Sequence, residues 1–185
     1  MVLPVYVYGH SLLRKKAEEI EENDPELKEL IDNMFETMYH ADGVGLAAPQ
    51  VGFSKDIFII DATPMEEDDP SLKDFKKVFI NPEILEQSGE EWSYNEGCLS
   101  LPTIREDIDR LSNVKLSYYD ENFNHHVEEF DGIQARIIQH EYDHLQGKLF
   151  IDYLNPLKKR LLSKRLKAIS EGNVDIAYKI KKPKK

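Results

Sequence analysis

The sequence predicts an α+β fold in which antiparallel β-sheets pack around a central metal-binding helix, with a further C-terminal helix. Three observations support this: short strand-like runs bounded by turn residues, a helical pattern that contains HEYDH, and an amphipathic pattern near the end of the chain. With 185 residues, of which 41% are hydrophobic, the chain can bury a core of its own. We predict one domain over residues 1–170 and a basic tail over residues 171–185.

Five segments have the composition or spacing of β-strands. NVKLSYYD and HHVEEFDG, separated by the turn residues ENFN, predict a β-hairpin. Pro82 indicates a strand that lies at an edge or ends there. The predicted strands are LPVYVYG (3–9), DIFIID (56–61), KVFINPEIL (77–85), NVKLSYYD (113–120) and HHVEEFDG (125–132).

Three segments predict helices. The first begins at Asp24, as its N-cap, and stops near Asp42, because apolar residues recur at helical spacing between them. An ordered loop, GVGLAAPQVG, follows at 43–52, since three glycines and a proline in ten residues break a helix. Spaced isoleucines predict the central helix over 132–146, and the amphipathic run LLSKRLKAIS predicts the C-terminal helix over 161–170.

The pattern HEYDH places two histidines four residues apart on the central helix. His140 and His144 then lie on nearly the same face, where both imidazoles can bind one ion at about 2.0–2.1 Å. Glu141 is turned about 100° away and can take a proton from a water bound to that ion. Asp143 is available to accept a hydrogen bond from a liganding imidazole. Two histidines that make only ordinary hydrogen bonds are the alternative interpretation.

Such a site needs a third protein ligand. Phe150 stands where one large class of metalloproteases has a third histidine, and it has no donor atom. Glu171, the only glutamate after this helix, lies beside a glycine past another helix and is a poor candidate. Cys98 is the only cysteine, and a Cys-His₂ set leaves a fourth position open for water, as catalytic sites do. A lone cysteine can equally be a small buried hydrophobic residue.

Three segments of the chain are informative together: GVGLAAPQ (43–50), EGCLS (96–100) and QHEYDHLQG (139–147). In their sequence, order and spacing they resemble the bacterial polypeptide deformylase (peptide deformylase) family. The similarity extends to Leu13-Arg14 and to LFIDYL (149–154) after the central helix. It therefore covers roughly residues 1–157.

The resemblance implies a metal-dependent enzyme that removes the N-formyl group from the formylmethionine of newly synthesised polypeptides and releases formate. By position, Cys98, His140 and His144 are the implied metal ligands. Metal-bound hydroxide would attack the formyl carbon, with Glu141 as the implied general acid/base. Fe²⁺ is the expected native ion, and Zn²⁺, Ni²⁺ or Co²⁺ can substitute for it. The alternatives are a metallopeptidase that cuts internal peptide bonds and a module whose metal only braces the fold.

The resemblance also assigns residues around the substrate. Gln50 and the backbone N–H of Leu99 are expected to hold the developing oxyanion. The substrate peptide is expected to lie in the cleft as an added strand, against the backbone of Gly45. The candidate substrate contacts are Gly45, Val44, Ile137 and Arg105. Core packing equally explains the apolar members of this set, and a solvated charge at a strand end equally explains the arginine.

Charge is distributed unevenly along the chain. Residues 158–185 carry eleven Lys and Arg against two acidic residues, whereas the whole chain has a formal net charge of −11. The acidic body argues against DNA binding, and the basic tail is either a ribosome contact or a solvated, partly frayed terminus. No apolar run approaches the ~20 residues of a membrane-spanning helix, and the N-terminus lacks the pattern of a signal peptide. With its single cysteine, the sequence predicts a cytoplasmic protein without membrane contact.

Overall fold

Residues 1–184, which the computed structural model describes, form seven β-strands and three α-helices. The strands are β1 (Val5–Tyr6), β2 (Gly45–Ala47), β3 (Ile57–Asp61), β4 (Lys76–Cys98), β5 (Leu101–Tyr119), β6 (His125–Asp131) and β7 (Ile180–Lys181). The helices are α1 (Leu27–His40), α2 (Gly132–Leu145) and α3 (Pro156–Glu171). None of the helices in this part of the chain has the length and apolar character needed to cross a membrane.

Five strands form one antiparallel sheet in the order β2-β3-β4-β5-β6. β2 lies at one edge and pairs with β3, so that Gly45 is opposite Ile60. β4 and β5 form a long hairpin with several register shifts, and Cys98 pairs with Leu101 where the chain turns. The sheet therefore places Cys98 at the closed end of its longest hairpin.

Helices pack on both faces of the sheet around β3, which explains why this strand is buried along its whole length. Alternate residues of a strand point to opposite faces. Phe58 packs in the same apolar cluster as Ile138 of α2. Its neighbour Ile59 packs in the same cluster as Met34 of α1, on the other face. The predicted α+β fold, with antiparallel strands around a central helix, is confirmed.

The first two helices agree with the predicted segments and differ at their ends. α2 ends one residue before the predicted limit of 146. α1 begins at Leu27 with Glu26 as its N-cap, so the prediction of Asp24 as the N-cap is wrong. The Asp24 carboxylate instead accepts a hydrogen bond from the backbone N–H of Glu26 at 2.9 Å, in the turn before the helix.

α3 and the long hairpin extend further than the sequence predicts. α3 begins at Pro156 because the Asn155 side chain caps it by accepting a hydrogen bond from Lys158 N at 2.9 Å. The strand predicted over 77–85 continues to Cys98 and pairs with β5. The loop predicted over 43–52 contains β2 and the 3₁₀ helix Ala48–Val51.

The basic tail is folded onto the N-terminal strand. β7 pairs in parallel with β1, with Ile180 opposite Val5, so residues 180–181 are paired and not frayed. Ile180 also packs against an apolar cluster that contains Leu101. Lys185, the last residue of the predicted tail, lies outside the described residues. The division into a domain over 1–170 and a tail over 171–185 stays a prediction.

Candidate active site

Three possible metal ligands from two distant segments of the chain converge at α2. Cys98 lies at the end of β4, and His140 and His144 lie one turn apart on α2. Their ligand atoms all lie within 4.8 Å of one another, and Cys98 Sγ is 3.3 Å from His144 Nε2. Thiolate and imidazole are ligands of ions such as Fe²⁺ and Zn²⁺, so the three residues fit a divalent ion.

Glu96 fixes the orientation of the first histidine. Its carboxylate Oε1 lies 2.8 Å from His140 Nδ1. Because an ionised carboxylate can only accept, Nδ1 carries the proton and Nε2 is the nitrogen available to an ion. Burial lowers the pKa of His140, but hydrogen bonds with Cys98 and Glu96 outweigh this effect and raise it to about 10. An ion that binds here must therefore displace a proton.

Two buried arginines hold Glu96 in turn. Arg110 donates to both carboxylate oxygens, at 2.8 and 3.1 Å, and Arg136 donates to Oε2 at 2.8 Å. Burial acts to raise the pKa of Glu96, but hydrogen bonds with His140 and Arg110 hold it well below its usual range. Glu96 therefore remains ionised and can aim the His140 ring.

Within residues 1–184, Asp143 makes no hydrogen bond to His140 or His144, so the prediction that it holds a liganding imidazole is wrong. Its Oδ2 accepts hydrogen bonds from Arg110 and from the Tyr153 hydroxyl, both at 2.8 Å. His144 Nδ1 is buried and has no hydrogen-bond partner among the described residues. Burial lowers the pKa of His144 well below its usual value, which keeps the ring neutral. Neutral imidazole is the form that binds a metal.

Glu141 is a second buried glutamate next to the cluster. The residue is 4% exposed, and its Oε2 makes no hydrogen bond within residues 1–184. Burial is the main reason that the pKa of this carboxyl is raised to about 7. A carboxyl group with such a pKa can accept a proton and return it near neutral pH.

Gly45 leaves the space that the Glu141 side chain occupies. A Cβ at position 45 would lie 2.5 Å from Glu141 Oε1 and 2.9 Å from Cδ. Both distances are shorter than non-bonded atoms tolerate, so a larger residue at 45 would displace the carboxyl group. Glycine therefore allows the edge strand β2 to approach α2 closely.

Gln50 presents its amide nitrogen to the cluster. Its Oε1 accepts a hydrogen bond from the backbone N–H of Ala47 at 2.9 Å, which sets the orientation of the amide. Nε2 then donates to Ser100 Oγ at 3.1 Å and to Cys98 Sγ at 3.4 Å. The residue lies in the 3₁₀ helix that contains Pro49, and it is 2% exposed. The site thus holds a neutral, fixed donor beside the cysteine.

A cavity of about 540 Å³, a volume typical of small-ligand sites, opens over the cluster. The predicted site residues line it except His144, which reaches the cluster through its contact with Cys98. Ile137 is almost fully buried in the cavity wall and belongs to the apolar cluster that contains Phe58. Val44 packs against that apolar cluster. Arg105 is exposed at the rim, where its Nε donates to Asn95 Oδ1 at 2.8 Å.

Sequence reasoning missed several residues of this region. Glu96 was not predicted, although its spacing could have indicated it: residues two apart in a strand share a face, and Glu96 is two residues before Cys98. Arg110 carries no local signal, since its contact with Glu96 joins positions fourteen residues apart on paired strands. Ile176 and Tyr178 of the tail also line the cavity and were not predicted.

A cluster of three possible metal ligands, which leaves a fourth position for water, lies beside a buried carboxyl group whose pKa is raised to about 7. These features are those of one class of protein, the metal-dependent hydrolases. The family model named polypeptide deformylase matches residues 2–160. The chain belongs to this family, and the resemblance found in the three motifs is confirmed.

Relatives match the chain over nearly its whole length. It is 49% identical over 190 residues to the peptide deformylase of Christiangramia forsetii, with 99% of this chain and 97% of that protein covered. A structure of Plasmodium falciparum peptide deformylase with an inhibitor is 38% identical, with a TM-score of 0.78 over 90% of this chain and 99% of that one. A Synechococcus elongatus peptide deformylase in complex with actinonin is 41% identical, with a TM-score of 0.78 over 88% of this chain and 85% of that one.

Proposed function

We propose that the protein is an enzyme that removes the N-formyl group from the N-terminal formylmethionine of newly synthesised polypeptides and releases formate. The observation that carries this proposal is that three segments far apart in the sequence, 43–50, 96–100 and 139–147, contribute to one cavity. Relatives named peptide deformylase that cover nearly the whole chain support it. The reaction is hydrolysis of a linear amide (EC 3.5.1.88).

Cys98, His140 and His144 are proposed to hold one divalent ion. Fe²⁺ is the proposed resident metal, with Zn²⁺, Ni²⁺ or Co²⁺ as substitutes. When bound, such an ion supplies Lewis acidity, which polarises a carbonyl and lowers the pKa of water to near 7 in favourable sites. The hydrogen bond from His140 to Glu96 supports this assignment, because it directs the opposite ring nitrogen toward the other two donors.

Glu141 is proposed to move the proton during hydrolysis. As water oxygen adds to the formyl carbon, Glu141 Oε2 takes the proton of that water. The same oxygen then gives the proton to the methionine nitrogen as the C–N bond breaks, and formate is released. The raised pKa of Glu141 and its unpartnered, buried oxygen in the described chain support both halves of this exchange.

Gln50 and the backbone N–H of Leu99 are proposed to stabilise the oxyanion that forms on the formyl oxygen. Gln50 Nε2 faces Cys98, and Leu99 follows Cys98 directly, so both donors lie beside the proposed ion. Oxyanion donors of this kind are typically worth about 3–4 kcal/mol each. The amide is held by Ala47 before substrate arrives, which lowers the cost of aiming it.

The substrate peptide is proposed to add as a strand at the edge formed by β2. Gly45 begins this edge strand, and its backbone is the proposed partner of the peptide. Val44 and Ile137 are the proposed walls for the methionine side chain, since both are apolar and line the cavity. Arg105 at the rim is the proposed contact for the peptide beyond the methionine.

A formate assay tests the proposed function. Anaerobically purified protein, with its metal content measured, is incubated with a formyl-methionyl peptide, and formate is quantified beside a digest of casein. We expect formate without casein cleavage. Casein cleavage without formate would favour the metallopeptidase. A tightly bound ion without either activity would favour a structural metal.

The solvent-exposed side of the basic tail is a proposed ribosome contact. The protein is therefore proposed to act on nascent chains in the cytoplasm. The exposed lysines on this side are Lys179, Lys181, Lys182 and Lys184. Binding to ribosomal RNA through such residues weakens steeply with salt. Exchange of all four for glutamine should abolish salt-sensitive co-sedimentation with ribosomes and leave formate release from short peptides intact. Unchanged co-sedimentation would contradict this contact.

A further inference from the structure

The chain after α3 returns along the body of the protein toward the cavity. α3 ends where Gly172 adopts a φ of +78°, a left-handed conformation that reverses the chain. Residues 174–180, here called the wall segment, follow. Residues 174, 176, 178 and 180 are half-buried, whereas the residues between them are exposed. This period of two is that of an extended chain with one face against the protein.

Both ends of the wall segment are anchored. Val174 and Ile180 pack against the apolar cluster that contains Leu101. The backbone N–H of Val5 donates to the carbonyl oxygen of Lys179 at 2.9 Å, which ties the second anchor to β1. The residues between the anchors are therefore held in one place relative to the cavity.

The middle of the wall segment borders the cavity. Ile176 and Tyr178 line it together with the start of β5. The Tyr178 hydroxyl donates a hydrogen bond to the carbonyl oxygen of Leu99 at 2.8 Å. Leu99 is in the turn that follows Cys98, so this bond restrains the backbone that carries a proposed oxyanion donor.

We propose that the wall segment forms one side of the peptide cleft. Ile176 contacts the substrate side chains that follow the formylmethionine and determines specificity there, and Tyr178 positions the backbone of Leu99. This inference rests on the proposed function, which supplies the peptide. An apolar wall favours apolar side chains in the substrate, because burying a charged one without a partner is costly.

Steady-state formate release from formyl-Met-Leu-Leu and formyl-Met-Ala-Ala tests both residues. Ile176→Ala should raise KM for the leucine peptide about 5- to 10-fold more than for the alanine peptide, because an apolar contact is lost. Tyr178→Phe keeps the ring and removes the hydroxyl, so it should lower kcat about 3- to 10-fold for both peptides with little change in KM.

Val174→Ala is the matched control. It removes an apolar contact from the same segment, yet Val174 is not among the described residues that line the cavity. Its KM ratio between the two peptides should stay that of the unsubstituted protein. If Ile176→Ala also had the KM ratio of the unsubstituted protein, Ile176 would not determine specificity. An unchanged kcat for Tyr178→Phe would overturn the positioning role.

A binding measurement separates this inference from the proposed function. Calorimetry of formyl-Met-Leu-Leu with Glu141→Gln protein measures the peptide contact without turnover, and Ile176→Ala in that background should weaken binding about 5- to 10-fold. If the Glu141→Gln protein bound this peptide equally well with and without Ile176→Ala, the proposed contact between Ile176 and the peptide would be wrong, even if the unsubstituted protein releases formate. Weakened binding without formate from the unsubstituted protein would support the wall and contradict the proposed reaction.

Discussion

Glu96 and Glu141 are two buried carboxyl groups near His140, and their hydrogen-bond partners differ. Glu96 lies 2.8 Å from His140 Nδ1 and accepts hydrogen bonds from Arg110 and Arg136. Glu141 has an oxygen without a hydrogen-bond partner in the described chain. Accordingly, the pKa of Glu96 is held well below its usual range, whereas burial raises the pKa of Glu141 to about 7.

This difference separates positioning from proton transfer. A buried charge with several partners stays ionised and keeps its neighbours in place, as a residue that orients a metal ligand must. A buried carboxyl group with an unpaired oxygen can change its protonation state near neutral pH. Its burial without a partner also lowers the stability of the folded protein. We therefore expect substitutions of Glu96 to affect folding and metal affinity, and substitutions of Glu141 to affect turnover.

Glu141→Gln should produce the largest effect on activity. The amide cannot take the proton from water, so kcat should fall by about 10²- to 10⁴-fold. The bound metal and the midpoint of thermal unfolding should stay near those of the unsubstituted protein, because no paired charge is removed. Formate release, metal analysis and calorimetry measure the three quantities. Near-full activity in this variant would rule out Glu141 as the acid/base.

Gln50→Ala tests the proposed oxyanion donor, the Gln50 amide beside Cys98. Without its amide the oxyanion loses one fixed hydrogen bond, and kcat should fall about 10²- to 10³-fold with KM little changed. Ser100→Ala is the control, since Ser100 accepts from Gln50 Nε2 and removing its hydroxyl leaves that donor in place. It should have a much smaller effect. A Gln50→Ala variant with raised KM and normal kcat would indicate ground-state binding instead.

Glu96→Gln tests the paired carboxylate. Removing its charge leaves two buried arginines without full compensation, so the free energy of unfolding should fall by about 3–5 kcal/mol. Metal affinity should fall about 10- to 100-fold, because the His140 ring loses its charged acceptor. Glu91→Gln, at an exposed position of the same strand, should change neither quantity. A Glu96→Gln protein with normal metal affinity would contradict the orienting role.

The fold was predictable where the pattern is local. The central helix and the hairpin over 113–131 were found because their apolar spacing lies within a few consecutive residues. The long hairpin of β4 and β5 was not, because residues 86–91 are exposed on both faces and show no alternation. Tail residues 174–180 do alternate, but their basic surroundings favoured a frayed terminus or a polyanion contact.

The site was predictable only in part, because its side chains come from distant segments. The three motifs indicated the donors through resemblance to a family, and the structure brings these donors together. Asp143 was a wrong guess based on nearness along the helix, where its side chain instead meets Arg110 and Tyr153. Tyr178 contacts Leu99 across 79 residues, and no sequence pattern reports such a contact.

Asp56, which lies outside the site, is another carboxyl group whose pKa is raised by burial, as that of Glu141 is. Burial raises the pKa of Asp56 from its ordinary value of 3.8 to about 7, while Lys16 lowers it and Glu19 raises it. Burial and the charge of Asp56 also raise the pKa of Tyr142 in α2. Between these two pKa values the folded protein holds a proton that the unfolded chain has released. The contribution of Asp56 to the free energy of unfolding should therefore fall as pH rises from about 4 to about 7 and level off above that.

Asp56→Asn removes this titration. Its free energy of unfolding, relative to the unsubstituted protein, should rise by about 1–2 kcal/mol between pH 4.5 and pH 7.5, after allowance for solvent screening. Denaturant unfolding at several pH values measures this difference. Asp32→Asn, at an exposed position of α1, should differ from the unsubstituted protein by a constant amount across the same range. If Asp56→Asn also differs by a constant amount, burial of a carboxyl group does not by itself raise its pKa enough for the proton exchange that is expected of Glu141.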